Sequence, residues 1–417
     1  MGSSNLTLKI LAIGDSTSNI YLMKKFGKNI DIHIIDFPRK GVDKLTTSKD
    51  QIEYFDSLLI SQQVKKINAI KNNFDLCIAT PWAGARIAYL AGINYIMYFV
   101  GNDITTPPFS KDNKNYNYFE KYFYKKILNR AIVCIGPQQE YFIPLKKYRK
   151  DAIRLDRAFV DIEYFNEKIS PIELKKEKFT FLSAQRFGTE KGIENIWEAI
   201  KFCKTDFEIL QVKWFIEDSS RTVTEFNQLG EINKKLVDEM PKKVRFIPLI
   251  KREELGKYFV AADAIMGQMR GGHHQSGIER DAAYCKKPVL CFTDPNQTII
   301  IDGEEIIPPF LPQSNNPQEI AKIIDKIVES KQFRDNLAEK QYEYIKKLCD
   351  PELVSKDWEK IFNNVLKNNK NLERNLSIFE RLYNYIILRL EKKYIKKFRE
   401  KNIQAWGKEE YERLIKE

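Results

Sequence analysis

Continuous apolar runs alternate with amphipathic stretches through the first 150 residues of this chain. The runs predict strands that are buried on both faces, because a strand with one wet face would alternate apolar and polar side chains. Helix-like segments between them, such as Gln51 to Lys71 and Trp82 to Ala91, indicate a parallel sheet covered by helices. The predicted strands are Leu6 to Ile13, Ile30 to Phe37, Phe74 to Thr80, Tyr95 to Val100 and Ala131 to Ile135.

A second alternating set runs from Phe179 to about Phe292, and from Pro317 onward the pattern is helical. A chain of 417 residues also exceeds what one core usually supports. We therefore predict two doubly wound, Rossmann-like α/β domains that face a cleft, with a helical C-terminal extension. The predicted divisions are a first domain at 1–165, a linker at 166–178, a second domain at 179–350 and C-terminal helices at 351–417.

Two cations flank a predicted strand-to-helix turn at the start of the second domain. The strand spans Phe179 to Ala184, the helix spans Glu190 to Phe202, and Arg186 and Lys191 lie at the turn. Backbone N–H groups at such a helix start attract anions. A guanidinium and an ammonium five residues apart can reach one diphosphate from two directions. The alternative is that both charges are simply solvated.

Further along, the segment from Tyr258 to Phe292 predicts a helix, a short strand, a glycine-rich loop, a helix and a strand. Gly271 and Gly272 in the loop allow a close approach of the backbone to a ligand. His273 can hydrogen-bond a sugar or a phosphate as a neutral imidazole, although a loop histidine is often incidental. Glu279 lies in the first turns of the following helix, where its carboxylate can point back toward the loop.

In this order, these features resemble the C-terminal domain of retaining glycosyltransferases with the GT-B fold, in particular glycosyltransferase family 4 (GT4). A Lys-Pro-Val stretch at residues 287–289 completes the pattern. In that family an Arg/Lys pair binds the donor diphosphate and a helix Glu holds the donor ribose. The resemblance implies catalytic roles for Arg186 and Lys191. The donor-binding residues that it implies are Glu279, Gly271, Gly272, His273, Ser276 and Gly277.

Three weaker matches lie in the first domain and its exit. Residues 10–16, 100–103 and 160–165 resemble the family's first strand and loop, its N-domain turn and its entry into the linker. The resemblance implies a third catalytic residue, Asp103, although an Asn-Asp pair also forms ordinary turns. The implied acceptor-binding residues are Gly14, Asp15 and Ser16, and the alternative for this loop is an ordinary helix N-cap.

The chain departs from the family pattern at two positions. The family often has a Glu eight residues before the ribose-binding Glu, and that position is Gly271 here. The usual His of the N-domain turn is Val100. Both changes fall where donor sugar and acceptor would meet, so they bear on the identity of the sugar and on activity itself.

Composition and charge restrict the classes of molecule that the protein can bind. A formal charge of +12 and a pI of about 9.1 indicate an anionic partner, and the lack of zinc-finger, RNP-type or leucine-zipper patterns argues against nucleic acid. No Asp-x-Asp pair is present to hold a divalent cation, so we expect catalysis without a metal or cofactor. Six scattered cysteines predict reduced core residues. Without a signal peptide or a long apolar run, we expect a cytoplasmic protein.

Two basic, aromatic stretches predict peripheral attachment to an anionic membrane at its inner face. From Tyr383 to Lys401 an apolar stripe at helical spacing is flanked by seven Lys or Arg against two Glu, and Tyr116 to Lys126 combines rings with lysines. The alternative is that both stripes pack on the protein or on a second subunit. Membrane attachment would suit a lipid-linked or other glycan acceptor.

The sequence as a whole favours a retaining glycosyltransferase that moves a sugar from a nucleotide-diphosphate sugar to an acceptor hydroxyl. The leaving phosphate itself can take the acceptor proton, so the protein must stabilise the departing charge, as Arg186 and Lys191 can do. Two alternatives stay open, a non-catalytic nucleotide-sugar or anionic-glycan binding protein on the same scaffold and a nucleotide-sugar epimerase.

Overall fold

A computed structural model describes residues 7–15, 17–38, 51–105, 108–109, 118–137, 139–214, 234–270, 276–368, 376–397, 403 and 408–416. These residues form two compact units. The first unit contains the described residues up to Asp156 and those from Pro351 onward, and the second contains Arg157 to Asp350. The domain boundaries drawn from the sequence stay a prediction.

The described part of the first unit has a parallel sheet in the order β3-β2-β1-β4-β5-β6-β7. Its strands are β1 (Leu8–Ile13), β2 (Ile30–Asp36), β3 (Glu53–Tyr54), β4 (Leu76–Ala79), β5 (Ile96–Tyr98), β6 (Val133–Gly136) and β7 (Ile153–Arg154). The connecting helices are α1 (Asn19–Phe26), α2 (Ile60–Ile70), α3 (Ala83–Leu90), α4 (Tyr118–Arg130) and α5 (Gln139–Tyr148). All five predicted strands are confirmed. Successive strands are added on one side of β1 up to β3 and on the other side from β4 to β7.

The predicted helix from Gln51 to Lys71 is wrong in its first half. Residues 53–54 instead pair with the end of β2, and α2 begins at Ile60. The start of α2 is fixed by a distant residue, because the Glu391 carboxylate accepts hydrogen bonds from the backbone N–H groups of Ile60 and Ser61. Local sequence carries no sign of a cap that comes from the other end of the chain.

The second unit contains a parallel sheet in the order β10-β9-β8-β11-β12 and a separate antiparallel hairpin. Its strands are β8 (Phe179–Ser183), β9 (Phe207–Val212), β10 (Val244–Ile247), β11 (Ala264–Met266), β12 (Val289–Leu290), β13 (Ile299–Ile301) and β14 (Glu304–Ile306). Its helices include α6 (Ile193–Ile200), α7 (Arg252–Ala261), α8 (Gly277–Tyr284), α9 (Pro317–Glu329) and α10 (Lys331–Cys349). The predicted fold class, two Rossmann-like α/β sheets with a helical C-terminal region, is confirmed.

The β13–β14 hairpin was not among the sequence predictions, although the chain contains a signal for it. Asp302 and Gly303 occupy the turn with φ of 53° and 87°. An Asp-Gly pair after an apolar run is typical of a tight hairpin turn, because both turn positions need positive φ. The hairpin lies beyond Phe292, where the predicted alternation of strands and helices stopped.

The C-terminal helices of the described chain are α11 (Pro351–Asn368), α12 (Ile378–Lys397) and α13 (Lys408–Leu414), and they pack on the first unit. Trp358 of α11 is buried, with its ring edge-on to Tyr98 at 4.9 Å between centroids. At α13, the carbonyl of Leu414 accepts the N–H of Leu58 at 2.8 Å. The tail is therefore part of the first unit's structure.

The cysteines behave as the sequence predicted. All six are unpaired, and five are buried in the apolar cores. Burial raises the pKa of the Cys203 thiol to about 12 even though that side chain is only partly covered. At such a pKa the thiol is protonated near neutral pH.

We expect Gly84→Ala to destabilise the first unit by about 1–3 kcal/mol, because added atoms in a close-packed contact force the backbone apart. A Cβ at Gly84 would lie 2.0 Å from the carbonyl oxygen of Ile13 in β1. Urea unfolding would measure the loss. Gly277→Ala, where a Cβ meets nothing within 4 Å, is the matched control. Equal stability of the two variants would contradict the contact between α3 and β1.

Candidate functional site

The candidate site of the second unit lies at β8, where the strand order changes sides: β9 and β10 lie on one side of β8, and β11 and β12 lie on the other. β8 pairs with β9 on one side and with β11 on the other, so the loops after β8 and β11 leave the same edge of the sheet. Ligands of open α/β sheets bind at such a switch point. The loop after β8 carries Arg186 and Lys191, and the loop after β11 carries Gln268 and Arg270.

The turn after β8 holds its two predicted cations in different surroundings. Residues 189–191 form a short 3-10 helix before α6. The Nε of Arg186 donates to Glu190 at 2.8 Å, and its other guanidinium nitrogens have no partner among the described residues. The Nζ of Lys191 donates to the side-chain oxygen of Gln268 at 3.0 Å, which ties the ammonium to the loop after β11.

A glycine joins the two loops. Gly192 has φ of 73°, and a Cβ there would lie 2.6 Å from the carbonyl carbon of Met269. The N–H of Met269 donates to the carbonyl of Lys191 at 2.8 Å, and the Asn195 amide donates to the carbonyl of Met269 at 2.9 Å. The two backbones therefore touch, and only a residue without a side chain fits between them.

Arg270 is a third cation at this turn that the sequence reasoning missed. Its guanidinium donates to the carbonyl of Thr189 at 3.1 Å and to Glu194 at 3.2 Å. The sequence signal for Arg270 is its position directly before Gly271 and Gly272. A cation there comes just after β11, the strand that pairs with β8. With Arg186 and Lys191 it gives the turn three cations against the carboxylates of Glu190 and Glu194.

Glu279 lies in the first turn of α8 and is fully buried. Its carboxylate accepts hydrogen bonds from the amide of Gln185, the hydroxyl of Ser276 and, at 2.8 Å, the backbone N–H of Gln268. A Cβ at Gly267 would lie 2.7 Å from the same carboxylate. Glu279, the predicted donor-binding residue, thus lies beside the loop after β11, which contains Gln268, a partner of Lys191. Both carboxylate oxygens of Glu279 accept hydrogen bonds from protein groups.

The structure says less about the other five predicted donor-binding positions. Ser276 is a direct neighbour of Glu279, and Gly277 is the first residue of α8 with open space around its Cα. The other two glycines of the loop and the histidine lie outside the described residues, namely Gly271, Gly272 and His273. Their roles stay predictions.

In the first unit, the predicted acceptor loop follows β1. Gly14 has φ of 82° and lies against Thr80 and Phe37. The Asp15 carboxylate accepts the N–H groups of Ile20 and Tyr21 at 3.2 and 2.7 Å, so it holds the start of α1. Ser16 lies outside the described residues. The structure thus shows the capping role for Asp15, and acceptor binding by this loop stays a prediction.

Asp103 occupies the turn after β5, with one carboxylate oxygen accepting the N–H of Val100 at 3.1 Å. Burial raises the pKa of this carboxyl to about 6, against the smaller lowering effect of the backbone N–H groups. A carboxyl with a pKa near the ambient pH can both accept and return a proton. The carboxyl of Asp103 therefore stays protonated to a higher pH than an ordinary aspartate does.

An aromatic cluster around this turn was also missed. Trp82, just after β4, donates its indole N–H to the carbonyl of Asp103 at 3.1 Å. Its ring lies 4.9 Å from that of Tyr124 and 6.0 Å from that of Phe109, measured between centroids. The loops after β4 and β5 are neighbours because these two strands pair. Rings beside a carboxyl are suited to the apolar face and hydroxyls of a sugar.

The comparisons with known proteins agree with this architecture. Residues 165–344 match the family model of glycosyl transferases group 1. HepE from Anabaena, solved with UDP and glucose, is 15% identical, with 86% of this chain and 100% of that chain covered and a TM-score of 0.63. The fold is GT-B. A sucrose-phosphate synthase from Thermosynechococcus elongatus (14% identical, 87% and 100% covered, TM-score 0.60) has the same fold.

A glycosyltransferase from Rickettsia africae shares this GT-B fold at 17% identity, with 87% of this chain and 99% of that chain covered and a TM-score of 0.59. No curated protein sequence matches this chain. At these identities the structural likeness establishes the arrangement of strands and helices. The roles of particular side chains rest on the contacts described above.

We expect Asp103→Asn to remove a pH-dependent loss of stability. The folded carboxyl resists ionisation up to about pH 6, whereas an unfolded one ionises near pH 4, so the free energy of unfolding falls as pH rises between those values. The loss reaches at most about 3 kcal/mol. The variant should therefore exceed the wild type in stability at pH 7 and match it below about pH 4.

Thermal unfolding across this pH range would test the effect, with Asp31→Asn as the control because Asp31 is exposed on β2. A stability difference between Asp103→Asn and wild type that does not change with pH would contradict the burial of this carboxyl.

We also expect Glu279→Gln to lower the free energy of unfolding by about 1–3 kcal/mol, because its new amide N–H₂ faces the amide of Gln185 and leaves buried groups unsatisfied. The exchange variant Gln185→Glu/Glu279→Gln restores one amide and one carboxylate. It should recover most of the stability in urea unfolding. If the single variant is as stable as wild type, the buried network does not depend on this carboxylate.

Proposed function

We propose that this protein is a retaining, GT4-like glycosyltransferase that moves a sugar from a nucleotide-diphosphate sugar to a hydroxyl of a glycan or lipid-linked acceptor. One observation carries the proposal: Arg186, Lys191 and Arg270 all lie at the short helix of residues 189–191, at the switch point of the second sheet, where the two loop backbones touch at Gly192. The match of this region to the group 1 family supports it.

Arg186 and Lys191 are proposed to bind the donor diphosphate. The terminal nitrogens of Arg186 are available to a phosphate because Glu190 engages only Nε. Lys191 can exchange one neutral partner, the Gln268 amide oxygen, for a charged phosphate oxygen. Hydrogen bonds between charged groups are the stronger kind, so this exchange favours the anion.

During transfer, the acceptor oxygen forms a bond to the anomeric carbon while the bond from that carbon to the diphosphate oxygen breaks. The acceptor proton passes to the departing phosphate on the same face of the sugar, which retains the configuration. Negative charge grows on the leaving phosphate, and fixed cations at that position stabilise it most. Asp103, in the first unit, is proposed to bind an acceptor or sugar hydroxyl through its partly ionised carboxyl.

Glu279 is proposed to hold the donor ribose. Its carboxylate is covered in the present arrangement, so ribose hydroxyls would take the place of the Ser276 hydroxyl. Gly271, Gly272 and His273 are proposed to lie against the sugar phosphate. Because HepE was solved with UDP and glucose, uridine diphosphate sugars are the first donors to test, beside their guanosine and adenosine counterparts.

The competing proposal is a nucleotide-sugar binding protein without turnover. The two departures from the family pattern, Gly271 and Val100, favour it. Donor turnover distinguishes the possibilities, since a transferase yields a glycosylated product, an epimerase yields an isomer of the donor, and a binding protein yields neither. Transfer that continues in excess EDTA would support catalysis without a metal ion.

We expect Arg186→Ala to weaken donor binding by roughly ten- to a hundredfold, because a hydrogen bond to a charged group contributes about 1.5–3 kcal/mol. The rate of transfer should fall further, since charge grows on the phosphate in the transition state. Calorimetry with uridine diphosphate sugars and a product assay would measure the two effects.

The matched control is Arg245→Ala, which removes another Arg–Glu pair of the same unit, with Glu208 at 2.9 Å. This control should keep the donor affinity. Near-normal donor binding and turnover in Arg186→Ala would place the diphosphate elsewhere.

A further inference from the structure

Helix α12 carries an apolar face on the surface of the first unit. Ile378 and Phe379 are 82% and 84% exposed, and Leu382, Tyr385 and Ile386 are exposed as well. Their spacing of one, four, seven and eight residues places all five on one side of the helix. A contiguous patch of exposed apolar residues marks a surface that contacts a protein, a ligand or a membrane.

The opposite face of α12 already packs on the protein. Tyr383, Ile387 and Leu388 lie against the core of the first unit, and the ring of Tyr383 is 6.0 Å from that of Phe123. The apolar stripe predicted from Tyr383 onward is therefore divided, because Tyr383 and Ile387 turn inward while Ile386 faces solvent. Internal packing accounts for one side of the helix and leaves the other uncovered.

The acidic and basic residues of α12 also differ in their surroundings. It has two carboxylates, and both face protein groups: Glu380 accepts the N–H of Ser377 at 3.0 Å, and the buried Glu391 accepts the N–H groups at the start of α2. The helix also has six Lys or Arg, which gives a net charge of +4. By the 3.6-residue repeat, Arg389 continues the face of Leu382 and Tyr385, and its guanidinium lies 5.0 Å from the Tyr385 ring.

The neighbouring helix α4 extends this surface. Tyr122 is exposed, with its ring 6.4 Å from that of Tyr383, and the Lys126 ammonium lies 5.4 Å from the same Tyr122 ring. Lys121 and Lys125 are exposed on the same helix. Residues 116 and 117 of the predicted aromatic stretch lie outside the described residues. The surface of α4, which contacts α12 through the Tyr122 and Tyr383 rings, thus carries one exposed ring and three lysines.

We propose that the exposed face of α12, together with Tyr122 and the lysines of α4, binds the surface of an anionic phospholipid bilayer. None of the described helices is both long enough and apolar enough to cross a bilayer. An amphipathic helix instead lies in the plane of the interface, with apolar side chains among the acyl chains and cations at the headgroups. The carboxylates of α12 are directed away from that surface.

A second copy of the chain fits this face less well. A symmetric dimer uses the same patch on both copies, so a second copy would bring further cations to this surface and no exposed carboxylate of α12 to pair with them. An anionic bilayer offers apolar depth and opposite charge at once, at about 1 kcal/mol per cation near the surface. The proposal concerns the first unit alone and does not depend on glycosyl transfer.

Co-sedimentation of the full-length protein with vesicles would test this surface, without donor or acceptor present. Vesicles of equal parts phosphatidylglycerol and phosphatidylcholine should bind the protein at low salt, and pure phosphatidylcholine should bind it weakly. Added salt should reduce binding to the anionic vesicles, because it screens the headgroup attraction. No binding to anionic vesicles at low salt would overturn the proposal.

Substitutions then locate the surface. Phe379→Ser/Leu382→Ser should lower the partition coefficient about tenfold or more, because both side chains leave the acyl region. Arg389→Gln should lower it about fivefold at low salt. The control Phe202→Ser/Ile307→Ser removes two equally large exposed apolar side chains from the second unit and should bind like wild type.

Two results would contradict the assignment. An equal loss of binding in the control would mean that α12 is not the site. A wild-type dimer in sedimentation velocity that Phe379→Ser/Leu382→Ser converts to a monomer would assign the face to a second copy. All four substituted apolar positions are exposed, so the melting temperatures should stay unchanged, and a transfer assay with a soluble acceptor would report on the proposed function separately.

Discussion

The candidate site depends on the contact between Gly192 and the backbone of Met269. Three cations cannot gather on one turn unless two loops from different strands come within van der Waals distance, and that contact has no room for a side chain. The Met269 N–H bond to Lys191 and the Asn195 bond to Met269 hold the loops together. Because the loop backbones are fixed, charge that develops during a reaction can be stabilised without a rearrangement of the loops.

The carboxylates of the turn are part of the same arrangement. Glu190 and Glu194 orient Arg186 and Arg270, and they also reduce the local positive charge. The two carboxylates therefore have opposite effects: they fix the positions of the guanidinium groups, and they compete with an incoming anion for them. A diphosphate, with more than one negative charge, competes well for such cations, whereas a singly charged anion gains less.

Local sequence predicted what local geometry determines. The apolar runs predicted the strands of the first sheet, and the order of strand, turn and helix predicted that Arg186 and Lys191 lie at one turn. Arg270 and Gln185 were not placed in this way, since their contacts depend on the pairing of β8 with β11. Asp15 shows a different difficulty: a carboxylate after a strand suits both a ligand and a helix cap, and only the observed N–H partners identify the cap.

The bonds of Glu391 have a consequence for how the protein is made. The N–H groups of Ile60 and Ser61 find their acceptor 331 and 330 residues later in the chain. The described part of the second unit is one continuous segment and can fold while synthesis continues, because domains generally fold as units as they emerge. The first unit begins before the second in the chain and is completed after it, so α2 lacks its Glu391 cap until α12 has been synthesised.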